Sequence, residues 1–137
     1  VKRERSRGKP RPRRPQRPKA DFREERSDAF RCVGCRLDVP LIAPGTAHRN
    51  HCPNCLTSRH LDGRVPGDRQ AGCGGRMTAL SVTARPDGEW LIIHHCVSCG
   101  ALSVNRIAGD DNALALIRIA VRPLSDPGMP VRALLAL

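Results

Sequence analysis

The residues best equipped for chemistry in this chain are its cysteines. Six of the seven fall into Cys-x-x-Cys pairs, Cys32/Cys35, Cys52/Cys55 and Cys96/Cys99, and Cys73 stands alone. In such a pair both thiolates reach one tetrahedral ion while the intervening amides donate to the sulfurs, so the spacing is a mechanical requirement of zinc binding. Sixteen residues separate Cys35 from Cys52, which suits a four-cysteine site built from two pairs. Cys32, Cys35, Cys52 and Cys55 are therefore expected to hold one Zn2+. Protein atoms would fill all four positions of that ion, leaving no open place to activate water, so the expected role is structural.

Cys73, Cys96 and Cys99 leave three thiolates for a second site. The fourth donor has to come from elsewhere, and histidine is the natural source, with His60, His94, His95, His51 and His48 as candidates. His60 is favoured because it lies on a separate segment leading into Cys73. His94 and His95 directly precede Cys96 and are constrained by their own strand. An aspartate donor, or no second metal, is the alternative; two zinc ions are the expectation.

These ligands need short strands and tight turns to carry them. Phe30 to Cys35 reads as a strand entering a zinc knuckle, and Arg36 to Leu41 as a short return strand. The clearest hairpin joins Met77–Ala84 to Glu89–His95 through Pro86-Asp87-Gly88, and its second strand runs into the third knuckle. Gly100 supplies the left-handed residue such knuckles favour, and Leu102 to Ile107 is one further strand. An Asp or Asn cap ahead of Leu114, Ile117 and Val121 predicts a helix over about Asp111 to Arg122, ended by Pro123. The fold class is thus a small, mostly β, zinc-ribbon-like domain with two knuckle sites and one C-terminal helix. Residues 1–29 form a basic arm and linker, 30–124 the metal-binding domain, and 125–137 a tail.

Composition agrees that metal, not grease, holds the domain together. The chain has 137 residues, 39% of them apolar, and its only aromatics are Phe22, Phe30 and Trp90. A core that thin calls for staples. An odd number of cysteines and no apolar leader segment argue for a reducing, cytoplasmic setting, with metal in place of disulfides. The longest apolar run, Ala113 to Val121, is too short to span a bilayer and is interrupted by Arg118, so no membrane role is expected.

Charge is concentrated at one end. Lys2, Arg3, Arg5, Arg7, Lys9, Arg11, Arg13, Arg14, Arg17 and Lys19 crowd the first twenty residues against a single Glu4. That stretch carries +9 of the total +11. Pro10, Pro12, Pro15 and Pro18 preclude a helix, so the arm is expected to be disordered when free and extended along phosphates when bound. A solubilising tail is the plainer reading of the same charges.

Residues 30–112 resemble the RNHCP-domain family. The resemblance is carried by Arg49-Asn50-His51-Cys52-Pro53, Pro66-Gly67-Asp68-Arg69, Cys73-Gly74-Gly75-Arg76-Met77, Gly88-Glu89-Trp90, Ile93-His94 and the run from Asn105 to Asn112. It implies a small bacterial zinc-ribbon-like domain and leaves the biochemical role undefined. One departure is Arg36, where a knuckle often carries glycine; a looser first turn is expected there.

The polar motif residues admit two readings. His48, Arg49, Asn50, Asp68, Arg69, Asn105 and Arg106 are candidates for an RNA-contacting face, with Arg49, Arg69 and Arg106 meeting phosphates. They are equally suited to orienting ligands and tying the knuckle loops. Zinc-deaminase chemistry is rejected because no Glu stands two places after a histidine and Pro53 follows Cys52 instead of preceding it. A His-Asn-His type nuclease built on His48, Asn50, His51, Asp110 and Asp111 is a minor alternative. Dithiol redox catalysis lacks a βαβ frame. The expected function is that of a non-catalytic zinc protein binding RNA, foremost ribosomal RNA as a ribosome-associated factor, with no small-molecule substrate. A zinc-ribbon DNA-binding or transcription-linked factor is the other binding class. With no Tyr and one Trp, stacking on single strands is scarce and contacts should be mostly phosphate.

Overall fold

A computed structural model describes residues 28–65 and 68–137. The basic arm and the Pro66-Gly67 step lie outside the described residues. Two short strands, β1 (Ala29–Arg31) and β2 (Asp38–Pro40), pair antiparallel around the first knuckle. Phe30 sits opposite Val39, and both pack on Cys32 and Cys52. The first cysteine pair thus has a miniature core of its own.

The larger unit is a four-stranded antiparallel sheet in the order β3-β4-β5-β6, with β3 at Ser58–Arg59, β4 at Arg76–Ala84, β5 at Trp90–Cys96 and β6 at Leu102–Arg106. The hairpin read from the sequence is β4-β5. Its turn closes through the Gly88 amide donating to the Arg85 carbonyl at 2.9 Å, with Gly88 at φ 88, which glycine adopts without strain. Met77 and Leu80, the buried residues of β4, are three apart, which a regular strand cannot place on one face. The register explains it: Ala79 pairs with His94 and Ser81 with Ile93, so Leu80 is the extra residue of a β-bulge that shifts the alternation. Central strand β5 buries Leu91, Ile92, Ile93 and His94 in succession.

Helix α1 spans Ala113–Ala120, a little shorter than expected. The Asn112 side chain caps it, accepting from the amides of Leu114 at 3.0 Å and Ala115 at 3.2 Å. Leu114, Ile117 and Val121, whose spacing predicts the helix, are exposed, at 67%, 57% and 73%. Ala115, Leu116 and Ile119 form its half-buried side, and the helix packs on β4. The tail adds a second, one-turn helix, α2 (Val131–Leu134), that the sequence reading lacks. Among the described residues no helix is long and apolar enough to cross a membrane.

Candidate metal centres

The three Cys-x-x-Cys pairs fold into one repeated device. In each, the first cysteine's amide donates to the carbonyl five residues on: Cys32 to Leu37 at 2.8 Å, Cys52 to Thr57 at 2.9 Å and Cys96 to Ala101 at 2.8 Å. The residue after the second cysteine then donates back to the first cysteine's carbonyl, from Arg36 at 3.1 Å, Leu56 at 2.8 Å and Gly100 at 2.9 Å. Closing that turn requires a left-handed backbone, and Arg36 (φ 65), Leu56 (φ 60) and Gly100 (φ 76) all adopt it. The first turn still closes with Arg36 in place of glycine, through the longest of the three bonds, 3.1 Å. Arginine takes the glycine conformation, because the closing hydrogen bond and the ligand geometry impose it.

Knuckles one and two face each other. The Sγ atoms of Cys32 and Cys55 are 3.5 Å apart and those of Cys35 and Cys52 3.6 Å. A tetrahedral Zn2+ with bonds of about 2.3 Å sets its sulfurs about 3.8 Å apart, so the four thiols already outline that polyhedron. The fold forces the sulfurs into unlike states. Burial pushes Cys52 up to about 12, whereas the Leu37 amide, and then the Asn54 side chain, hold Cys35 down at about 6. A divalent cation is the group that lets all four ionise together.

The second centre has only one knuckle. Its other half is split between two segments: the His60 amide donates to the Gly75 carbonyl at 2.8 Å, and the Gly74 amide to the His60 carbonyl at 3.0 Å. That bridge sets His60 beside Cys73. Cys73 Sγ lies 3.7 Å from Cys96 Sγ, and His60 Nδ1 lies 3.2 Å from Cys99 Sγ. Burial of Cys96 is outweighed by the amides of Cys99 and Ser98, which bring it to about 6. His60, Cys73, Cys96 and Cys99 form one candidate cluster and Cys32, Cys35, Cys52 and Cys55 the other, each with its ligand atoms within 4.8 Å of one another. Two metal ions are thereby provided for, and thiolate-rich tetrahedra of this kind fit Zn2+.

Each centre is also closed by a glycine from the opposite half. A Cβ on Gly34 would stand 2.7 Å from Thr57 Oγ1 and 3.2 Å from Cys55 Sγ. One on Gly75 would stand 2.6 Å from Ser98 Oγ and 2.9 Å from Cys96 Sγ.

Two of the other histidine candidates, His94 and His51, have their ring nitrogens engaged elsewhere. His94 is fully buried; its Nε2 faces the Leu56 carbonyl at 2.7 Å and its Nδ1 the Asn105 amide group at 2.9 Å. Burial, against the pull of the Leu56 carbonyl, lowers His94 to about 4, so the ring is neutral and donates from Nε2. The rest of the chain of bonds follows. Asn105 Nδ2 donates to His94, Asn105 Oδ1 accepts from Asn50 Nδ2, and Asn50 Oδ1 faces His51 Nδ1 at 2.9 Å. His51 Nε2 meets both oxygens of Asp111, at 3.0 and 2.9 Å. Neither ring nitrogen of His51 is left for a metal, and His48 is exposed.

Of the three domain arginines expected at nucleic acid, Arg49 is inside. It is 3% exposed, with Nη2 donating to Asp110 at 2.6 Å and to the Ile42 carbonyl at 3.4 Å. Arg69 and Arg106 are at the surface, near Asp62 and Glu89 respectively. Asn50 and Asn105 tie the interior together, which is the loop-fastening reading of the polar motif. Asp68 does similar work outside: its carboxylate accepts from the amides of Gly63, Val65 and Gln70, and these bonds lower its pKa, Gly63 foremost. The pairing of Asp110 and Asp111 with Arg49 and His51 was not read from the sequence. The nuclease alternative groups His51 with Asp110 and Asp111, but as metal ligands and not as hydrogen-bonded partners.

A short-strand domain closed by two thiolate-rich tetrahedra is a zinc-stapled domain of the ribbon kind. The model of the RNHCP domain matches residues 27–117, and the chain belongs to that family. No curated protein matches it, and no solved structure does.

Proposed function

We propose that this is a non-catalytic zinc protein that binds RNA, foremost ribosomal RNA as a ribosome-associated factor in the cytoplasm. One observation carries the reading: ten Lys or Arg and one Glu in the first twenty residues, joined to a domain whose remaining net charge is only +2. Neutralising phosphates with such a leader releases counterions and supplies affinity without reading bases. The metal-stapled domain would then hold the leader in register on its target. Asn50, His51 and Asp111 favour this over the nuclease alternative, because their side chains are already hydrogen-bonded within the protein.

Co-sedimentation with ribosomes and with total RNA, at low and high salt, tests the proposal. Binding at low ionic strength that falls steeply with salt, and is lost when residues 1–20 are removed, is the expected result. Duplex DNA competing as well as ribosomal RNA would transfer the function to the DNA-binding class. Divalent-dependent cleavage abolished by His51→Ala in a folded protein would transfer it to the nucleases.

A further inference from the structure

A groove of about 370 Å³ opens on the seam between the two metal centres. Its lining comes from β1, from the first knuckle, from Arg49-Asn50 ahead of the second, and from the Thr57–Leu61 segment that runs on to the ligand His60. Four arginines, Arg31, Arg49, Arg59 and Arg69, line it, and no carboxylate does. Asp38 and Asp62 touch Arg31 and Arg69 from outside the lining, at 3.2 and 3.7 Å.

Arg49 is the unusual member. Its Nε and Nη1 are buried and have no hydrogen-bond partner among the described residues, so Asp110 and the Ile42 carbonyl occupy Nη2 alone. A buried guanidinium compensated at one corner projects positive potential into the adjoining groove, where low-dielectric walls focus it. The walls opposite are apolar: Phe30, Val33, Leu41 and Leu61. Arg59 and Arg69 stand exposed at the groove, and Arg69 is held in its left-handed conformation (φ 54) by the loop that Asp68 fastens.

We propose that this groove is a binding site for a nucleotide phosphate ester, with Arg59 and Arg69 on the phosphate, Arg49 beneath it, and the base against Phe30 and the neighbouring aliphatic walls. An anion alone would need no apolar walls, and an apolar ligand alone would need no cluster of four arginines. The volume lies within the roughly 300–1,000 Å³ usual for small-molecule sites. Forked guanidinium groups suit a phosphate and stack on a base plane. The site does not depend on the basic leader, so it stands or falls separately from the RNA reading.

The test is an NMR titration of the zinc-loaded full chain with adenosine 5′-monophosphate, following backbone amides at Ser58, Arg59 and Leu61 and at the leader. The expected result is saturable shifts at the groove, with inorganic phosphate binding there more weakly. Arg59→Ala combined with Arg69→Ala, both surface changes, should weaken binding by about tenfold or more, as loss of two charge-assisted contacts implies. Arg118→Ala on α1 serves as a control and should change nothing. Shifts confined to the leader, unchanged binding by the double variant, or inorganic phosphate binding as well as the nucleotide would each overturn the assignment. A parallel titration with oligo(A) identifies the source. Groove shifts with oligo(A) support a nucleotide presented by RNA, and groove shifts with the mononucleotide alone support a free nucleotide. RNA bound through the leader with no groove response to either probe removes this site and leaves the proposed function intact.

Discussion

Both carboxylate oxygens of Asp111 lie within 3.0 Å of His51 Nε2, joining two residues sixty positions apart. His51 is the residue immediately before the knuckle cysteine Cys52, and Asp111 immediately precedes the cap of α1, so the contact ties the first metal centre to the loop between β6 and α1. It does not act alone. The Asn112 amide donates to the Pro53 carbonyl at 2.8 Å, and the Gly109 amide to the Pro44 carbonyl at 2.8 Å.

Asp111→Ala should therefore destabilise the zinc-loaded domain by about 1–3 kcal/mol, the usual effect of leaving a buried hydrogen-bonding group without its partner. Guanidinium denaturation measures it. His51→Ala combined with Asp111→Ala should cost clearly less than the sum of the single changes. Strict additivity would show that the two side chains do not interact.

Native mass spectrometry should find two zinc ions per chain. Cys35→Ser should lose the ion at the four-cysteine centre and keep the other, and Cys99→Ser the reverse. Gly75→Ala should weaken the His60 centre selectively, because its Cβ would press on Cys96 Sγ. Complete chelation should abolish the cooperative unfolding transition, since so small a core depends on its staples.

The left-handed residues of knuckles one and two should respond oppositely to glycine. Arg36 is exposed, so Arg36→Gly should stabilise by about 0.5–1 kcal/mol through relief of the strained backbone. Leu56 has nearly the same φ but is a buried core residue, and Leu56→Gly should destabilise by about 2–5 kcal/mol as its side chain leaves a cavity. Thermal or chemical denaturation of the zinc-loaded variants distinguishes the two signs.

His94 sets an acid limit. Its pKa falls from 6.5 to about 4 on folding, so the folded state prefers the neutral ring. That stabilisation is full above pH 6.5 and is lost as pH falls towards 4. Between pH 7.5 and 5.5 it should decline by about 1 kcal/mol. His94→Gln keeps a donor for the Leu56 carbonyl but does not titrate. Its stability should fall less than the wild type's over that interval, with zinc retention monitored in both; equal slopes would contradict the assignment.

What the sequence by itself determined was the local machinery. Cysteine spacing sets the knuckles, Pro86-Asp87-Gly88 sets the β4-β5 turn, and Asn112 sets the start of α1. Each rests on contacts a few residues apart, so pattern suffices. His60 was also legible, because three orphan cysteines demanded a donor from a separate segment.

Only the tertiary structure decided what happens between distant segments. The bulge at Leu80 changes the face of β4, and Leu114, Ile117 and Val121 point outward although their spacing suits a core. Arg49 reads as a surface cation and is buried because Asp110 arrives from sixty-one positions away. The physical reason is common to all three: a residue's periodicity and type describe its own segment, whereas its burial and charge partner depend on which other segment the fold lays against it.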